Sequence, residues 1–468
     1  MTKKVAITRG IYALKIHNSS RYVVITGLFL VLAISLFTSS LTIAAPFEQR
    51  ITPSNDITGT TDWQNLQTAF NAASGIPGAV IELQAGTYYI NQAVVIKDFV
   101  GTFKGAGMEQ TIVQTPGGDY LFPKVTEGPV WEAPGMFIFY YDQLGEAHTP
   151  ARLTLSDMTW HAIGQTEGWV THVPFLVDQF AYISAVYGRY TGIEDDEVSY
   201  ISTTAERMQF LGDPYPEGKL GPVNVINGFI MEPEFFATDD DPPEFYTDKQ
   251  LCGSYTCISS KFQNILYAYN TLMITDSSVT VGGKPQFQNT FIDCATGVDL
   301  FNLDNSEAEV SYSETFNSSA VIIELYAPGL APSTFTIKHN TIRQRPSAWF
   351  AGVEVWSYGL YYGQENIDTL NITQNTIISE SHNPPYGPIF CFGAHNTNIT
   401  NNMIQGTGES GIFLGGLSTG CYIRGNNLKH YDATAQDIYL GSATSHCTVI
   451  LGATDTITDD GTNNTIQG

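Results

Sequence analysis

A strand-like segment that ends in Asn recurs through the second half of this 468-residue chain at a nearly constant interval. The segment returns about every 25 residues, with apolar residues at alternate positions before the Asn. Its clearest copies are 335–342, 370–377, 397–404 and 421–428, and looser copies are centred on Asn264, Asn289 and Glu314. A fixed interval of this length means that each repeat is one structural unit, which buries its apolar face only by stacking on its neighbours.

The pattern within each repeat predicts the fold class. Two or three runs of alternating apolar residues lie between Gly, Asn or Pro residues, and helical spacing is absent from them. Short strands that stack at about 4.8 Å per turn form a parallel β-helix. An Asn at one fixed turn position can bond through its amide to the next turn, where water does not reach. The sequence therefore predicts an all-β protein in which the Asn column is structural.

The segment 56–115 adds a family resemblance. Residues 62–73 have apolar side chains at helical spacing, and the segments GAVIELQAGTYYI (78–90) and GTFKGAGMEQTIV (101–113) follow. This order resembles the opening of the pectate-lyase-like superfamily, and the closing DGTNNTIQG resembles the ends of such proteins. The resemblance also covers the repeats from about 258 onwards. It implies a right-handed single-stranded parallel β-helix with a short N-terminal capping helix and long loop excursions. It further implies a polysaccharide as the class of substrate, without supplying catalytic positions.

Composition divides the chain into four parts: 1–45, 46–120, 121–257 and 258–468. The first part has five Lys and Arg residues, no Asp or Glu, an apolar run and small residues that end at Ala45. This is typical of a signal peptide, and the run is also long enough for an uncleaved membrane anchor. We assign the cap and first coils to the second part, irregular coils with long insertions to the third, and the regular repeats to the fourth. The sequence predicts a secreted, periplasmic or cell-surface protein that touches a membrane only through its first segment, if uncleaved.

The charge excludes one class of partner. The chain has 46 Asp and Glu residues against 21 Lys and Arg residues, which gives a formal net charge of −25. A nucleic-acid partner needs a basic face on the protein, so we expect none. A neutral polysaccharide or surface glycan has no such requirement, whereas a uronate polymer would need bound calcium or a local basic patch.

Six cysteine residues fit an oxidising compartment. Cys252 and Cys257 lie in a short loop, where they could close a small disulfide ring. Cys421 and Cys447 hold matching positions in successive repeats, so we expect them on adjacent turns and within disulfide reach. Buried free thiols are an equally open interpretation for all but the first pair.

The second strand of each repeat supplies the candidate site. Each has an apolar–X–apolar triplet, and because the apolar residues face inward, X faces outward. X is Asp299, Glu324 and Glu354 in three successive repeats, so we expect these carboxyl groups in one outward column. Aromatic candidates for binding substrate lie beside it: Phe301, Tyr326, Trp356, Tyr358 and Phe392. Carboxyl groups can act as acid and base while flat rings stack on sugars, which favours a polysaccharide as ligand.

Several mechanisms stay open for Asp299, Glu324 and Glu354 as catalytic residues. Neighbouring turns lie about 4.8 Å apart and alternate turns about 9.6 Å apart, so retaining and inverting hydrolysis are both compatible. Three stacked carboxylates repel one another, so one holds a proton or they share a cation such as calcium. Calcium-assisted elimination is therefore a second candidate reaction. Glycan or protein binding without catalysis is the third, since outward acids are often merely solvated and outward rings often support loops.

Overall fold

The computed structural model describes most of the chain beyond residue 46. The described ranges are 47–117, 135–141, 151–163, 181–188, 199–213, 223–228, 251–265, 267–272, 274–326, 329–344, 350–380 and 387–468. The predicted signal peptide or anchor lies outside these ranges, so export and membrane contact stay predictions. Within them, no helix combines the length and apolar character needed to cross a membrane.

One α-helix, α1 (Thr60–Ala73), stands at the start of the described part. Its buried face, which includes Leu66 and Phe70, packs on the first strands. The N–H group of Thr61 donates to the carboxylate of Asp56 at 3.0 Å. Asp62, the third residue of the helix, is buried. Its carboxylate accepts from the N–H groups of Ser54 at 2.8 Å and Tyr89 at 3.0 Å, so it fastens the helix to the first coil.

The rest of the described chain is strand and turn. The strands in chain order are β1 (Glu48–Ile51), β2 (Ala79–Leu83), β3 (Gly86–Tyr89), β4 (Val94–Lys97), β5 (Gly101–Lys104), β6 (Thr111–Gln114), β7 (Gly135–Tyr141), β8 (Ala151–Ala162), β9 (Ala181–Gly188), β10 (Ser199–Gly212), β11 (Val223–Gly228), β12 (Leu251–Cys252), β13 (Ser254–Ile258), β14 (Lys261–Gln263), β15 (Tyr267–Leu272), β16 (Ser278–Val281), β17 (Thr290–Ile292), β18 (Thr296–Phe301), β19 (Glu307–Ser311), β20 (Glu314–Phe316), β21 (Ser319–Leu325), β22 (Ser333–Lys338), β23 (Thr341–Gln344), β24 (Val353–Ser357), β25 (Ile367–Thr373), β26 (Thr376–Ser379), β27 (Ile389–Phe392), β28 (Thr397–Thr400), β29 (Met403–Gly408), β30 (Ile412–Gly415), β31 (Tyr422–Arg424), β32 (Asn427–Ala433), β33 (Ile438–Leu440), β34 (Thr448–Ile450), β35 (Ile457–Asp459) and β36 (Thr465–Gln467). Short 3-10 turns lie at Pro285–Phe287 and Gly359–Tyr362.

The strands form two sheets, and each strand pairs in parallel with its equivalent in the next coil. In the described ranges the smaller sheet has twelve strands, which are β4, β7, β9, β11, β15, β18, β21, β24, β27, β30, β33 and β35. The remaining twenty-four strands form the larger sheet. Apolar residues stack between the sheets, and Val321, Val353 and Ile389, for example, follow one another in register with no exposed surface. The predicted fold class, an all-β right-handed parallel β-helix with a short N-terminal helix, is confirmed.

The Asn column is present as predicted. Asn340, Asn375, Asn402 and Asn426 are buried, and the Nδ2 of each of the first three donates to the Oδ1 of the next at 3.0 Å. The residue before each of the first three has a positive φ, between 56° and 58°, which turns the chain so that the amide points inward. The column thus satisfies buried polar groups and carries no chemistry.

Two of the looser copies were misplaced. Glu314 pairs with Thr341, so Ser313 occupies the column position, and its N–H group donates to Asn340 Oδ1 at 2.9 Å. In the same way Ser260 replaces the predicted Asn264, and its N–H group donates to Asn289 Oδ1. A small serine fits the same turn, so Asn alone does not mark every coil.

No disulfide joins the described cysteine side chains. Cys257 is a buried free thiol whose Sγ lies 3.7 Å from Asn289 Oδ1 inside the coil, so it does not close a ring with Cys252. Cys421 and Cys447 do lie on adjacent coils, as expected, and the N–H group of Thr448 donates to the carbonyl of Cys421 at 2.8 Å. Both are free thiols, and a hydrogen bond to Cys447 together with burial raises the pKa of Cys421.

Candidate active site

The three predicted carboxyl groups share the outer face of the smaller sheet, in two columns instead of one. Asp299 on β18 pairs with Ile322, and Ile322 pairs with Glu354 on β24. Glu324 on β21 pairs instead with Phe301 and Trp356. The predicted single column is therefore wrong by two residues at β21. That strand carries three inward apolar residues, and a shift of two residues keeps every side chain on its face, so the triplet pattern could not fix the register.

The corrected register sets the spacing of the acids. Asp299 and Glu354 lie in one column, two strands and about 9.6 Å apart in the backbone. Glu324 lies on the intervening strand in the next column, at a diagonal position about 7–8 Å from each. The three groups thus surround a small area of the outer face, with no two on directly paired positions.

The acids face away from the core, yet two of them are removed from water. Asp299 is 3% exposed and Glu354 is 6% exposed, while Glu324 is partly exposed. Ile322, which lies between Asp299 and Glu354, is buried as well although it belongs to the same outer face. Other side chains therefore cover this part of the sheet. A ligand reaches the acids most directly from the side of Glu324.

Aromatic side chains donate hydrogen bonds to two of the acids. Glu354 Oε1 accepts from Trp356 Nε1 at 2.6 Å, and its Oε2 accepts from the N–H group of Ala351 at 2.7 Å. Glu324 Oε1 accepts from the hydroxyl of Tyr326 at 2.7 Å. Asp299 Oδ1 is buried and has no donor among the described residues. The three carboxyl groups therefore sit in different surroundings, which is the condition for different protonation states.

Burial raises the pKa of every acid in the site. It places the pKa of Asp299 well above the ordinary value, and the charge of Glu324 raises it further. Burial raises the pKa of Glu324 to about 7 against the hydrogen bond from Tyr326. Burial also raises the pKa of Glu354, against the donors Trp356 and Ala351. No Lys or Arg among the described residues forms an ion pair with any of the three. Of the three acids, we therefore expect Asp299 to be the one that is protonated at neutral pH.

Tyr267 belongs to the same site and was missed from the sequence. Burial and then the charges of all three acids raise the pKa of its phenol. Strict alternation from the inward Tyr269 would place Tyr267 inward as well. Ala268 and Tyr269 both belong to the core, however, so alternation breaks at a corner there, and the influence of all three acids on its phenol places Tyr267 beside them. No sequence signal marks such a corner.

The predicted aromatic residues form one cluster beside the acids, which we call the aromatic cluster (Phe301, Tyr326, Trp356, Tyr358 and Phe392, with Tyr361). Successive ring centroids lie 5.8 Å apart for Phe301–Tyr326, 5.3 Å for Tyr326–Tyr358 and 5.8 Å for Tyr358–Phe392. Trp356 contacts Phe392 at 5.2 Å. Tyr361, from the 3-10 turn after β24, stacks on Phe392 and is 48% exposed. The cluster therefore offers ring faces to solvent at the edge of the acids.

A shared metal site is not evident in the described part of the chain. There, no group of three or more His, Cys, Asp and Glu side chains is arranged to hold a metal ion. Calcium binding at Asp299, Glu324 and Glu354 stays a prediction from the sequence.

The raised carboxyl pKa values predict that the free energy of unfolding decreases as pH rises. A group whose pKa is raised on folding stabilises the fold below its unfolded value, and this contribution is lost as pH rises through the folded value. For Glu324 the window runs from 4.5 to about 7. We expect the free energy of unfolding to fall by up to about 3 kcal/mol across it, relative to Glu324→Gln. Thermal unfolding of both proteins at each end of the window measures this, and parallel pH profiles would contradict it.

Comparison with known proteins finds distant structural similarities only. No family model matches the sequence, and no curated protein matches it. The A-module of a mannuronan C-5 epimerase from Azotobacter vinelandii is 14% identical, with 87% of this chain and 94% of that chain covered and a TM-score of 0.41. A DFA-IIIase from Arthrobacter chlorophenolicus A6 is 12% identical, with 90% and 98% covered and a TM-score of 0.41. The catalytic unit of an α-1,3-glucanase from Streptomyces thermodiastaticus is 15% identical, with 91% and 70% covered and a TM-score of 0.38.

Values this low carry no argument about activity. The fold rests on the strand pairing of this chain, in which coil follows coil in parallel from β1 to β36. The protein has the fold that its sequence resemblance implied, the right-handed parallel β-helix of pectate-lyase-like proteins.

Proposed function

We propose that the protein is an exported polysaccharide hydrolase whose acid and base are Asp299 and Glu354, with Glu324 between them. One observation carries the proposal: two buried carboxyl groups and one partly exposed carboxyl group lie together on the outer face, with no cation paired to them among the described residues. Removing acids from water without a partner charge costs several kcal/mol per ion. A fold does not need such a group on an outer sheet face, whereas acid–base catalysis does.

The surroundings of each group support a different role for each in this proposal. Asp299, with no donor to its buried Oδ1, is the neutral carboxylic acid. Glu354, which accepts two N–H donors, is the group held as a carboxylate. Hydrolases separate the general acid from the general base by giving neighbouring acids different surroundings, which move their pKa values apart. Glu324, with its pKa raised to about 7, lies between them and can relay a proton.

The reaction that follows is direct displacement by water. Asp299 gives its proton to the glycosidic oxygen as the bond from that oxygen to the anomeric carbon breaks. Glu354 takes a proton from the water whose oxygen forms the new bond to the anomeric carbon. Solvent then returns the proton from Glu354 to Asp299. Carboxyl groups about 6.5–9.5 Å apart leave room for this water, whereas retaining enzymes hold theirs about 5–5.5 Å apart, so the two-strand separation supports inversion.

The aromatic cluster supplies the binding surface in this proposal. Flat exposed rings such as Tyr361 offer contact to the C–H faces of sugar rings, and an acidic site without paired cations favours a neutral glycan over a uronate polymer. Trp356 and Tyr326 have a second task, since they donate to Glu354 and Glu324.

The test is product analysis on a panel of neutral and acidic polysaccharides. We expect new reducing ends without the ultraviolet absorbance of an unsaturated sugar. Reducing ends together with that absorbance would indicate elimination, and would favour the calcium-assisted lyase. Glycan binding without any new reducing ends, unchanged in Asp299→Asn and Glu354→Gln, would show a binding protein and overturn the proposal.

A further inference from the structure

The outer face of the smaller sheet continues beyond the acids as a ladder of rings, which we call the aromatic ladder (Phe390, Phe413 and Tyr439). The three residues pair in register on β27, β30 and β33. Their ring centroids lie 5.2 Å and 5.1 Å apart, and both pairs of planes meet at 18°. Glu354 pairs with Phe390, so the ladder extends the column that contains Asp299 and Glu354. Trp356 contacts the first ring at 4.9 Å.

The core does not account for this ladder. The inward positions of these strands are filled by Ile412, Leu414 and Ile438, which are buried. Phe390, next to the acids, is buried, whereas Phe413 and Tyr439 are partly exposed. The two rings further from the acid site are therefore more exposed than the ring next to it.

A glycine beside the exposed end of the ladder leaves room for the ring of Phe413. Gly415 pairs with Phe392 and so holds the position that aromatic residues occupy in the two preceding coils. A Cβ at Gly415 would lie 2.5 Å from the ring of Phe413, so the ring lies over the glycine. The hydroxyl of Tyr439 donates to Asp460 Oδ2 at 2.9 Å, which holds the last ring in place.

We propose that the aromatic ladder is a non-catalytic binding surface for the uncleaved part of the polysaccharide chain. This inference rests on the proposed function and adds to it that the substrate is a long, extended glycan. The ladder is uncharged, runs parallel to the coil axis, and reaches about 14 Å beyond Glu354 at three strand spacings. A chain that leaves the acid site in this direction passes over Phe413 and Tyr439, whereas a short oligosaccharide fills the acid site alone.

The test compares chain lengths in the full protein. We expect Phe413→Ala with Tyr439→Ala to raise KM for a polymer by about tenfold, a stacking loss of roughly one to two rings. The same variant should cleave a short oligosaccharide with unchanged kcat and KM. Tyr422→Ala is the matched control, because Tyr422 is partly exposed on the larger sheet and lies outside the ladder. Phe413→Leu keeps apolar volume without the flat face, and so serves if the alanine variant fails to fold.

Direct binding separates the failure of this inference from that of the hydrolase proposal. Affinity electrophoresis in polymer gels measures retention of the wild type and of the ladder variant. A wild type that is retained but cleaves nothing, with retention lost in the variant, would support the ladder and overturn hydrolysis. Cleavage by the wild type with equal KM values in the ladder variant would overturn the ladder alone. Equal losses on polymer and short oligosaccharide would also overturn it, and a wild type that neither binds nor cleaves overturns both.

Discussion

Asp299→Asn is expected to lower kcat for polysaccharide hydrolysis by about 10³-fold, within the range that general acid catalysis supplies. Asn has nearly the shape of a protonated Asp, but it has no proton to give to the leaving oxygen. The carboxyl group has a buried Oδ1 without a described donor and a pKa well above its ordinary value, so the amide should cost little stability. Initial rates of reducing-end release, with KM and the unfolding midpoint measured beside them, check this expectation.

The matched control for Asp299→Asn is Glu309→Gln. Glu309 is an outward acid on β19 of the larger sheet, and its Oε2 lies 3.0 Å from Lys338 Nζ. Loss of one partly exposed ion pair should change stability by less than about 1 kcal/mol and leave kcat within twofold. A Glu309→Gln variant as inactive as Asp299→Asn would point to a general effect of charge. An Asp299→Asn variant with full activity would remove Asp299 from the mechanism.

Asn375→Ala is expected to lower the free energy of unfolding by about 3–5 kcal/mol. Its Oδ1 accepts from both the backbone N–H and the Nδ2 of Asn340, each at 3.0 Å. Its Nδ2 donates to the carbonyl of Ile337 at 2.9 Å and to Asn402 Oδ1 at 3.0 Å. Alanine therefore leaves several buried polar groups without partners inside the coil, where water does not replace them. Thermal and denaturant unfolding measure the loss.

Asn398→Ala provides the control for the Asn column variant Asn375→Ala. Asn398 lies on the outer face of β28, and its Nδ2 makes one partly buried hydrogen bond, to Asn371 Oδ1 at 3.0 Å. We expect its loss to cost about 1 kcal/mol or less. Equal destabilisation by the two variants would mean that the inward column contributes no more than outer-face hydrogen bonds.

The fold was predictable because its signal is repeated. Each coil has to bury the same face, so apolar alternation and an inward Asn recur at one interval, and strict copies such as Asn375 and Asn402 were placed correctly. Two of the three looser copies were not, because the serines at 260 and 313 satisfy the same backbone groups as Asn. A repeat can thus be located from sequence only where a single residue type can occupy its fixed position.

The sequence predicts which face of the sheet carries the candidate site, but not how its residues align in columns across the strands. Alternation placed Asp299, Glu324 and Glu354 on the outer face, but a two-residue shift leaves alternation unchanged, so Glu324 was assigned to the wrong column. The burial of Asp299 and Glu354 depends on side chains from other coils, which no local pattern records. Tyr267 was missed for a related reason. Ala268 and Tyr269 are consecutive core residues, so alternation counted back from Tyr269 does not apply to Tyr267.

The pairing of Asp299 with Glu354 is tested most directly by the anomeric configuration of the first product, followed by proton NMR during cleavage. Two carboxyl groups on alternate strands, about 9.6 Å apart in the backbone, leave room for water between the base and the sugar. The product should therefore appear first as the inverted anomer and reach the equilibrium mixture only later. A first product with the retained configuration would require carboxyl groups about 5–5.5 Å apart and would contradict this assignment of acid and base.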